Sequence, residues 1–321
     1  MIKEKSKNNR TITINRQDKK ILKERIIKKM DQVKILENII INSDFFKVIE
    51  YFPKKIIDLA IIDPLYNIDK NFNTIKFKEM TAADYYKYTE RWVQLIIPLL
   101  KDTSSIYVCC DWKSSPYIYN VLTNYLICQN RITWEREKGR GSEKNWKNCL
   151  EDIWFFTVSN KYTFNAKPVK LLKKVNAPYR DKNGEEKDWF EKDGVQYRLT
   201  HSSNMWTDIT IPFWSMPENT DHPTQKPEKL FAKLILASSN ENDLIFDPFS
   251  GSGTASVAAK KLNRKYIGIE IDEVYCLLAE KRLEIANTQK EIQGIENGIF
   301  LERNTILGGN SKKIEGGILQ V

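Results

Sequence analysis

Residues 242–271, NDLIFDPFSGSGTASVAAKKLNRKYIGIEI, constrain the fold more than any other part of the chain. NDLIFDPFS (242–250) and KYIGIEI (265–271) are short runs rich in β-branched and aromatic residues, bounded by turn residues, and read as strands. TASVAAKKL (254–262) between them has the period of a helix. The same alternation runs through the chain. Strands are predicted at 36–44, 56–64, 104–112 and 151–159, and helices at 85–100, 226–239 and 272–286. Such an order predicts an α/β protein with a doubly wound, mostly parallel sheet and helices on both faces. Residues 160–221 break the pattern, since charges, aromatics and turn residues mix there without a sustained period. They predict a small irregular insertion.

The glycine pair carries chemistry as well as topology. Gly251-Ser252-Gly253 follows a strand and opens a helix, so backbone can approach a ligand closely and a helix N-terminus can face an anionic group. Glu270 lies 17 positions beyond Gly253, at the tip of the next strand, where a carboxylate can accept hydrogen bonds from both hydroxyls of a ribose. Ser256 stands where a dinucleotide fold has Gly or Ala, and the lysine of a phosphate-binding loop is missing. A cofactor with a ribose and an amino-acid carboxylate in place of a pyrophosphate fits better, which points to S-adenosyl-L-methionine.

A second motif, IIDPLYNI (61–68), ends a strand on Asp63-Pro64 and then places the aromatic Tyr66 just beyond the turn, where folding alone gives no reason for one. Other functions lose ground on composition. No stretch approaches the roughly 20 apolar residues of a membrane span, and MIKEKSKNNR has no signal-peptide core, so a cytoplasmic protein is expected. Five cysteines without a C-x-x-C pair and only two histidines suggest neither a disulfide framework nor a metal site. Charge is concentrated in residues 1–30, where eleven Lys or Arg stand against three acidic residues and supply +8 of the formal +9. Such an arm can lie along nucleic-acid phosphates, or it can be a solvated, partly helical tail.

DPLY, then DHPTQKP (221–227), then DPFSGSGT (247–254) resembles the β-class of S-adenosylmethionine-dependent DNA amino-methyltransferases, in which the catalytic motif precedes the glycine-rich motif by circular permutation. The resemblance covers roughly residues 33–290 and implies a circularly permuted Rossmann-like methyltransferase fold. It divides the chain into a basic arm (1–32), a catalytic half (33–159), a target-recognition region (160–221), a cofactor-binding half (222–290) and a tail (291–321). It implies that Asp63 and the carbonyl of Pro64 accept hydrogen bonds from the target amine, and that Tyr66 stacks on a base flipped out of the duplex. Direct attack on the sulfonium methyl follows, without a covalent enzyme intermediate. Cofactor contacts carry over to Asp44, Phe45, Asp63, Thr224, Lys226, Asp247, Pro248, Phe249, Gly251, Ser252, Gly253, Thr254 and Glu270. Thr224 and Lys226 would approach the methionine carboxylate. Purely local readings stand beside two of these, an N-cap at Asp44 and a helix start with Thr224 as cap and Pro227 in the first turn.

The family's second proline is Leu65 here, which loosens the catalytic turn; activity is expected to survive, against a non-catalytic DNA-binding paralogue. The motif's leading Asp favours adenine N6 over cytosine N4. Cytosine C5 chemistry would need a Pro-Cys dipeptide, and none occurs. RNA and protein-glutamine methyltransferases are further rivals, and the glutamine enzymes carry their motifs in the reverse order. The basic loop TWEREKGRGSEKNWKN (133–148), with Arg136, Lys138, Arg140, Lys144 and Lys147, is expected at DNA phosphates, and Arg180, Lys182 and Arg198 at base edges. Trp189, Phe190, Tyr197, Trp206 and Trp214 are expected to form the core of the recognition region. The resemblance further implies the modification enzyme of a restriction system, acting on double-stranded DNA, with a separate endonuclease and a homodimeric state.

Overall fold

The structure is a computed structural model that describes residues 7–30, 36–73, 76–136, 143–175, 180–185, 189–192 and 194–302. Helix α1 (Arg16–Lys23) precedes β1 (Ile39–Asn42), and α2 (Phe45–Val48) leads to β2 (Ile57–Ile62). A short pair, β3 (Lys70–Asn71) and β4 (Lys76–Phe77), comes before α3 (Ala82–Ile96), β5 (Leu100–Cys110), α4 (Ser115–Leu122), β6 (Ile127–Glu135) and β7 (Leu150–Thr157). Then come β8 (Leu171–Lys174), β9 (Phe190–Lys192), β10 (Val195–Thr200) and β11 (Met205–Trp206). The chain continues through α5 (Glu228–Ser238), β12 (Leu244–Asp247), α6 (Thr254–Lys261), β13 (Lys265–Glu270), α7 (Glu273–Ile285), β14 (Ile295–Glu296) and β15 (Ile299–Leu301).

Eight strands form the central sheet in the order β1-β13-β12-β2-β5-β7-β6-β11. Every pairing from β1 to β5 is parallel, and β7 runs antiparallel to both of its neighbours. Strand β2 is apolar along most of its length because both faces are covered. Its side chains alternate, with Leu59 and Ile61 joining the core under α5, α6 and α7, and Ala60 and Ile62 the core under α3 and α4. The predicted doubly wound, mostly parallel sheet is the one observed. From β2 the chain winds outward to β5, and from β12 it winds the other way to β13. The carboxyl ends of β2 and β12 therefore flank a topological switch point, where such sheets open a crevice.

Three regions differ from expectation. Residues 160–221 are more regular than their sequence suggests: β9, β10 and β8 pair antiparallel and continue into β15 and β14, giving a five-stranded sheet. Its strands are two to six residues long and its partners are far apart in sequence, so no local period announces it. Trp189 and Tyr197 are buried and Phe190 packs beside Tyr197, but Trp206, on β11 of the central sheet, is buried in the main core instead, and Trp214 is half exposed. The tail segment 295–301 belongs to this sheet rather than trailing free.

The basic N-terminal segment is also docked. Leu22, in the last turn of α1, and Ile26, just beyond the helix, are buried in the main core. Ile12 bridges to Thr220 and Ile27 to Ile41, while Lys23 and Lys28 pair with Glu273, Arg25 with Glu284, and Asp18 with Lys281. Two apolar residues hidden among charges turn an expected arm into a strap. Among the described residues no helix is long and apolar enough to cross a membrane, and no cluster of side chains could hold a metal ion.

Candidate active site

Beyond the carboxyl ends of β1, β2, β12 and β13 lies a cavity of about 410 Å³. Asp44 and Phe45 line it from the end of β1, Asp63, Pro64, Leu65 and Tyr66 from β2, Asp247 to Ser252 and Thr254 from β12, and Glu270 from β13. Thr224, Gln225 and Lys226 close the remaining side. The two motifs, nearly 200 residues apart, thus meet because their strands are neighbours at the switch point.

The catalytic end is a closed group of charges. The Lys226 ammonium donates to Asp63 Oδ2 at 2.7 Å and Oδ1 at 2.9 Å, and the Tyr66 hydroxyl donates to Asp63 Oδ1 at 2.9 Å. Glu151, at the start of β7, faces the same point: its Oε2 is 3.1 Å from the Tyr66 hydroxyl and 3.3 Å from Lys226 Nζ, and its Oε1 is 3.0 Å from Arg136. Burial opposes the charge on Lys226, but Asp63 and Glu151 override it and hold the ammonium above its usual range, so it stays protonated. Burial and the same two carboxylates raise the Tyr66 hydroxyl, which stays a neutral donor. The ring of Tyr66 is thereby locked with Lys226 Nζ 5.2 Å from its centroid.

The nucleoside end is rich in acceptors. Asp247 accepts from the backbone N–H of Phe249, and its burial raises its carboxyl well above the ordinary range. Glu270 accepts from the N–H groups of Gly251 and Asp272, and burial raises it too. Asp44 caps α2 by accepting from Phe46 N–H at 3.0 Å, and it also lines the cavity, so both readings of that residue hold. Phe45 and Phe249 pack together with ring centroids 5.4 Å apart and give an apolar wall. Five carboxylates, those of Asp44, Asp63, Asp247, Glu270 and Asp272, line this cavity against Lys70 and the already paired Lys226. Such a donor set repels a pyrophosphate and suits hydroxyls, amines and a sulfonium. These residues fit S-adenosylmethionine.

Some expected contacts are placed differently. Both glycines sit at positive φ, but a Cβ on Gly251 would fall 2.8 Å from His222 Nε2 and one on Gly253 would fall 2.5 Å from Ala279 Cβ. Gly253 does not line the cavity; it lets α6 approach α7. Helix α5 is capped at Pro227, not at Thr224, whose N–H instead donates to His222 Nδ1. Lys226 lines the cavity with its ammonium paired to the carboxylates of Asp63 and Glu151. Arg136 pairs with Glu151 Oε1 and is partly withdrawn from the surface. Lys138 and Arg140 lie outside the described residues; Lys144 and Lys147 are exposed, and Arg198 is half-buried on β10. Arg180 donates to the carbonyl of Gly184 and lies over Trp189.

Several site residues escape sequence reasoning. Glu151 is one, since a charged residue at a strand start carries no special signal. Arg282 did have one: it shares a face of α7 with Cys276, Ala279 and Leu283 and is buried there. Its guanidinium binds the Ser252 carbonyl at 2.9 Å, Thr254 Oγ1 at 3.0 Å and Glu228 at 3.0 Å, and so ties the glycine loop to the start of α5. Thr254 Oγ1 in turn donates to the Lys226 carbonyl at 3.0 Å.

Comparison with known proteins gives the family and the fold. A family model described as DNA methylase matches residues 57–281. The Type II methyltransferase M.HpaI of Haemophilus parainfluenzae is 33% identical over 248 residues, 76% of this chain and 74% of that protein. The DNA adenine methyltransferase YhdJ of Escherichia coli (strain K12) is 30% identical over 265 residues, 77% of this chain and 83% of that protein. Among solved structures, the M1.HpyAVI–SAM complex superposes with a TM-score of 0.52 at 24% identity, covering 76% of this chain and 98% of that one. The cytosine-N4-specific PvuII DNA methyltransferase superposes with a TM-score of 0.58 at 16% identity, covering 88% and 98%.

Proposed function

This chain belongs to the DNA methylase family, and from that premise we propose that it transfers the methyl group of S-adenosyl-L-methionine to the N6 amino group of an adenine within a short recognition sequence of double-stranded DNA. The observation that carries the reading is the shared cavity: Asp63 and Tyr66 stand beside the glycine loop and Glu270 at one switch point. The adenine target is supported by the Asp that opens the DPLY motif and by the name of the Escherichia coli relative.

The amine of adenine is a weak nucleophile because its lone pair is delocalised into the ring. Asp63 and the Pro64 carbonyl accept hydrogen bonds from its N–H groups, favour its pyramidal form and hold it in near-attack geometry. The target must leave the duplex to reach this depth, and Tyr66 receives it ring on ring. Bound in this cavity, the cofactor would supply an electrophilic methyl to the amine nitrogen, its sulfur keeping the electron pair of the broken bond. The methylated nitrogen then gives up one proton to solvent by way of Asp63. Lys226 is already protonated and does not take it. Asp44 and Phe45 serve the adenine of the cofactor, Glu270 its ribose and Thr224 its amino-acid end, while Asp247 and Gly251 to Thr254 shape the turn between them.

The biological role is the modification half of a restriction system, with the endonuclease a separate protein and the methyltransferase a homodimer. The reaction is tested by tritiated methyl transfer to unmethylated duplex DNA with nucleoside analysis. N6-methyladenine from the wild type, and none from Asp63→Ala, is expected; N4-methylcytosine would overturn the target. Light scattering tests the dimer, and a monomer of full activity refutes it.

A further inference from the structure

The charges at the catalytic end balance without any ligand: Asp63 and Glu151 against Lys226 and Arg136. All of them are largely withdrawn from solvent, with Lys226 and Glu151 at 7% and 5% side-chain exposure. A carboxylate offers about four acceptor positions. Three of those on Asp63 are taken, two by the ammonium and one by the Tyr66 hydroxyl. An amine arriving at Asp63 meets a carboxylate whose electron density is already drawn toward a cation 2.7 Å away. Asp63 can polarise the amine only if that cation withdraws, and a buried ammonium withdraws only to another carboxylate.

Glu151 Oε2 is 3.3 Å from Lys226 Nζ and needs no backbone movement to receive it. Arg136 on Oε1 keeps Glu151 oriented with Oε2 toward the lysine. The Tyr66 hydroxyl lies within hydrogen-bonding distance of both carboxylates and can follow the lysine from one to the other.

We propose that Glu151 is a positioning residue for methyl transfer: it takes the Lys226 ammonium from Asp63 when the target amine arrives, so that Asp63 is a full-strength acceptor only with the base in place. The proposal rests on the reaction assigned above and extends it to a residue outside the sequence motifs. It also gives the enzyme a reason to carry a lysine in contact with its catalytic carboxylate: the pair keeps Asp63 satisfied while no base is bound.

The test is single-turnover methyl transfer to unmethylated duplex DNA by the wild type, Glu151→Gln, Glu151→Asp, Lys226→Met and the Glu151→Gln/Lys226→Met double variant, with cofactor affinity measured separately by calorimetry. Glu151→Gln keeps shape and removes charge, which leaves Lys226 on Asp63. Its rate is expected to fall roughly 10- to 100-fold, the range of a charge-assisted hydrogen bond, with cofactor affinity within about twofold of wild type. Glu151→Asp keeps the charge and is expected to fall between the two. The double variant, which has no ammonium to obstruct Asp63, is expected to be faster than Glu151→Gln alone. Rates for Glu151→Gln within twofold of wild type, or losses that simply multiply in the double variant, overturn the proposal. If Glu151→Gln does not fold, Glu151→Asp decides by the same criterion: a slower rate at unchanged cofactor affinity supports the proposal, and an unchanged rate overturns it. A wild type that methylates no DNA defeats the assigned reaction and this role together; an active wild type matched by its Glu151 variants defeats this role alone.

Discussion

At the level of single residues, the departure at Leu65 is compensated by a neighbour. Proline would have restrained this turn through its own ring. Here the hydroxyl of buried Tyr85, on α3, donates to the Leu65 carbonyl at 3.0 Å, and the next anchor is Asn67, whose N–H donates to Ser114 Oγ at 3.0 Å. Tyr85→Phe removes that restraint, worth about 1 kcal/mol, and should slow methyl transfer about fivefold. Adding Leu65→Pro should recover most of the loss in the same single-turnover assay. His222 yields a pH prediction. Burial lowers its imidazole to about 4 from 6.5, so the folded protein holds it neutral, with Nδ1 accepting from Thr224 N–H. A depressed folded value means that this contribution to stability is complete above pH 6.5 and is lost as pH falls toward 4, at most about 3 kcal/mol. Glu218, raised to about 8 by burial and by Glu228, acts in the opposite sense between pH 4.5 and 8. Urea unfolding of wild type and His222→Asn between pH 7.5 and 5 therefore isolates the histidine: the wild type should lose more stability across that range than the variant.

At the level of elements, the glycine loop works through helix packing as well as through ligand approach. Gly253 stands at φ 78° as the N-cap of α6 and directly against Ala279 of α7. Gly253→Ala therefore suffers both an unfavourable backbone conformation and an overlap with backbone-anchored atoms, and should cost about 2 kcal/mol or more in urea unfolding. Gly298, at φ 77° with open space around it, is the matched control; Gly298→Ala should cost no more than about 1 kcal/mol. Arg282 ties α7 to the glycine loop from a position outside the cavity lining: its guanidinium bonds to Ser252, Thr254 and Glu228 at once. The element pattern itself was legible. Every strand predicted from β-branched runs is present, because strands buried on both faces must be apolar throughout. Strands β8 to β11 were not, because they are short and lie at edges or in a second sheet, where side chains need not alternate or run apolar.

At the level of the whole molecule, the N-terminal segment is part of the folded body. Removing residues 1–27 exposes the sites of Leu22 and Ile26, each worth about 1.5 to 3 kcal/mol of burial, and takes Lys23 from Glu273, Arg25 from Glu284 and Asp18 from Lys281. The truncated protein should unfold at a clearly lower urea concentration. A truncation that keeps full stability while losing salt-dependent DNA affinity would instead restore the segment as a phosphate-binding arm. The charges on this strap that pair with α7 are already neutralised locally. The remaining basic residues, Arg16, Lys19, Lys20 and Lys29 among them, make none of these pairs.

The sheet class, the glycine turn and Glu270 follow from local sequence, because period, turn chemistry and glycine placement act over a few neighbouring residues, and the other residues around the cavity follow from the family resemblance of the motifs. Three things depend on contacts between distant parts of the chain and could not follow from local sequence. The strap's burial rests on two aliphatic side chains amid eleven cations. Gly253 is required by a helix 26 residues further along. Lys226 meets Asp63 and Glu151 only because β2, β5 and β7 are neighbours in the sheet, which brings together charges that sequence separates by 163 and 75 residues.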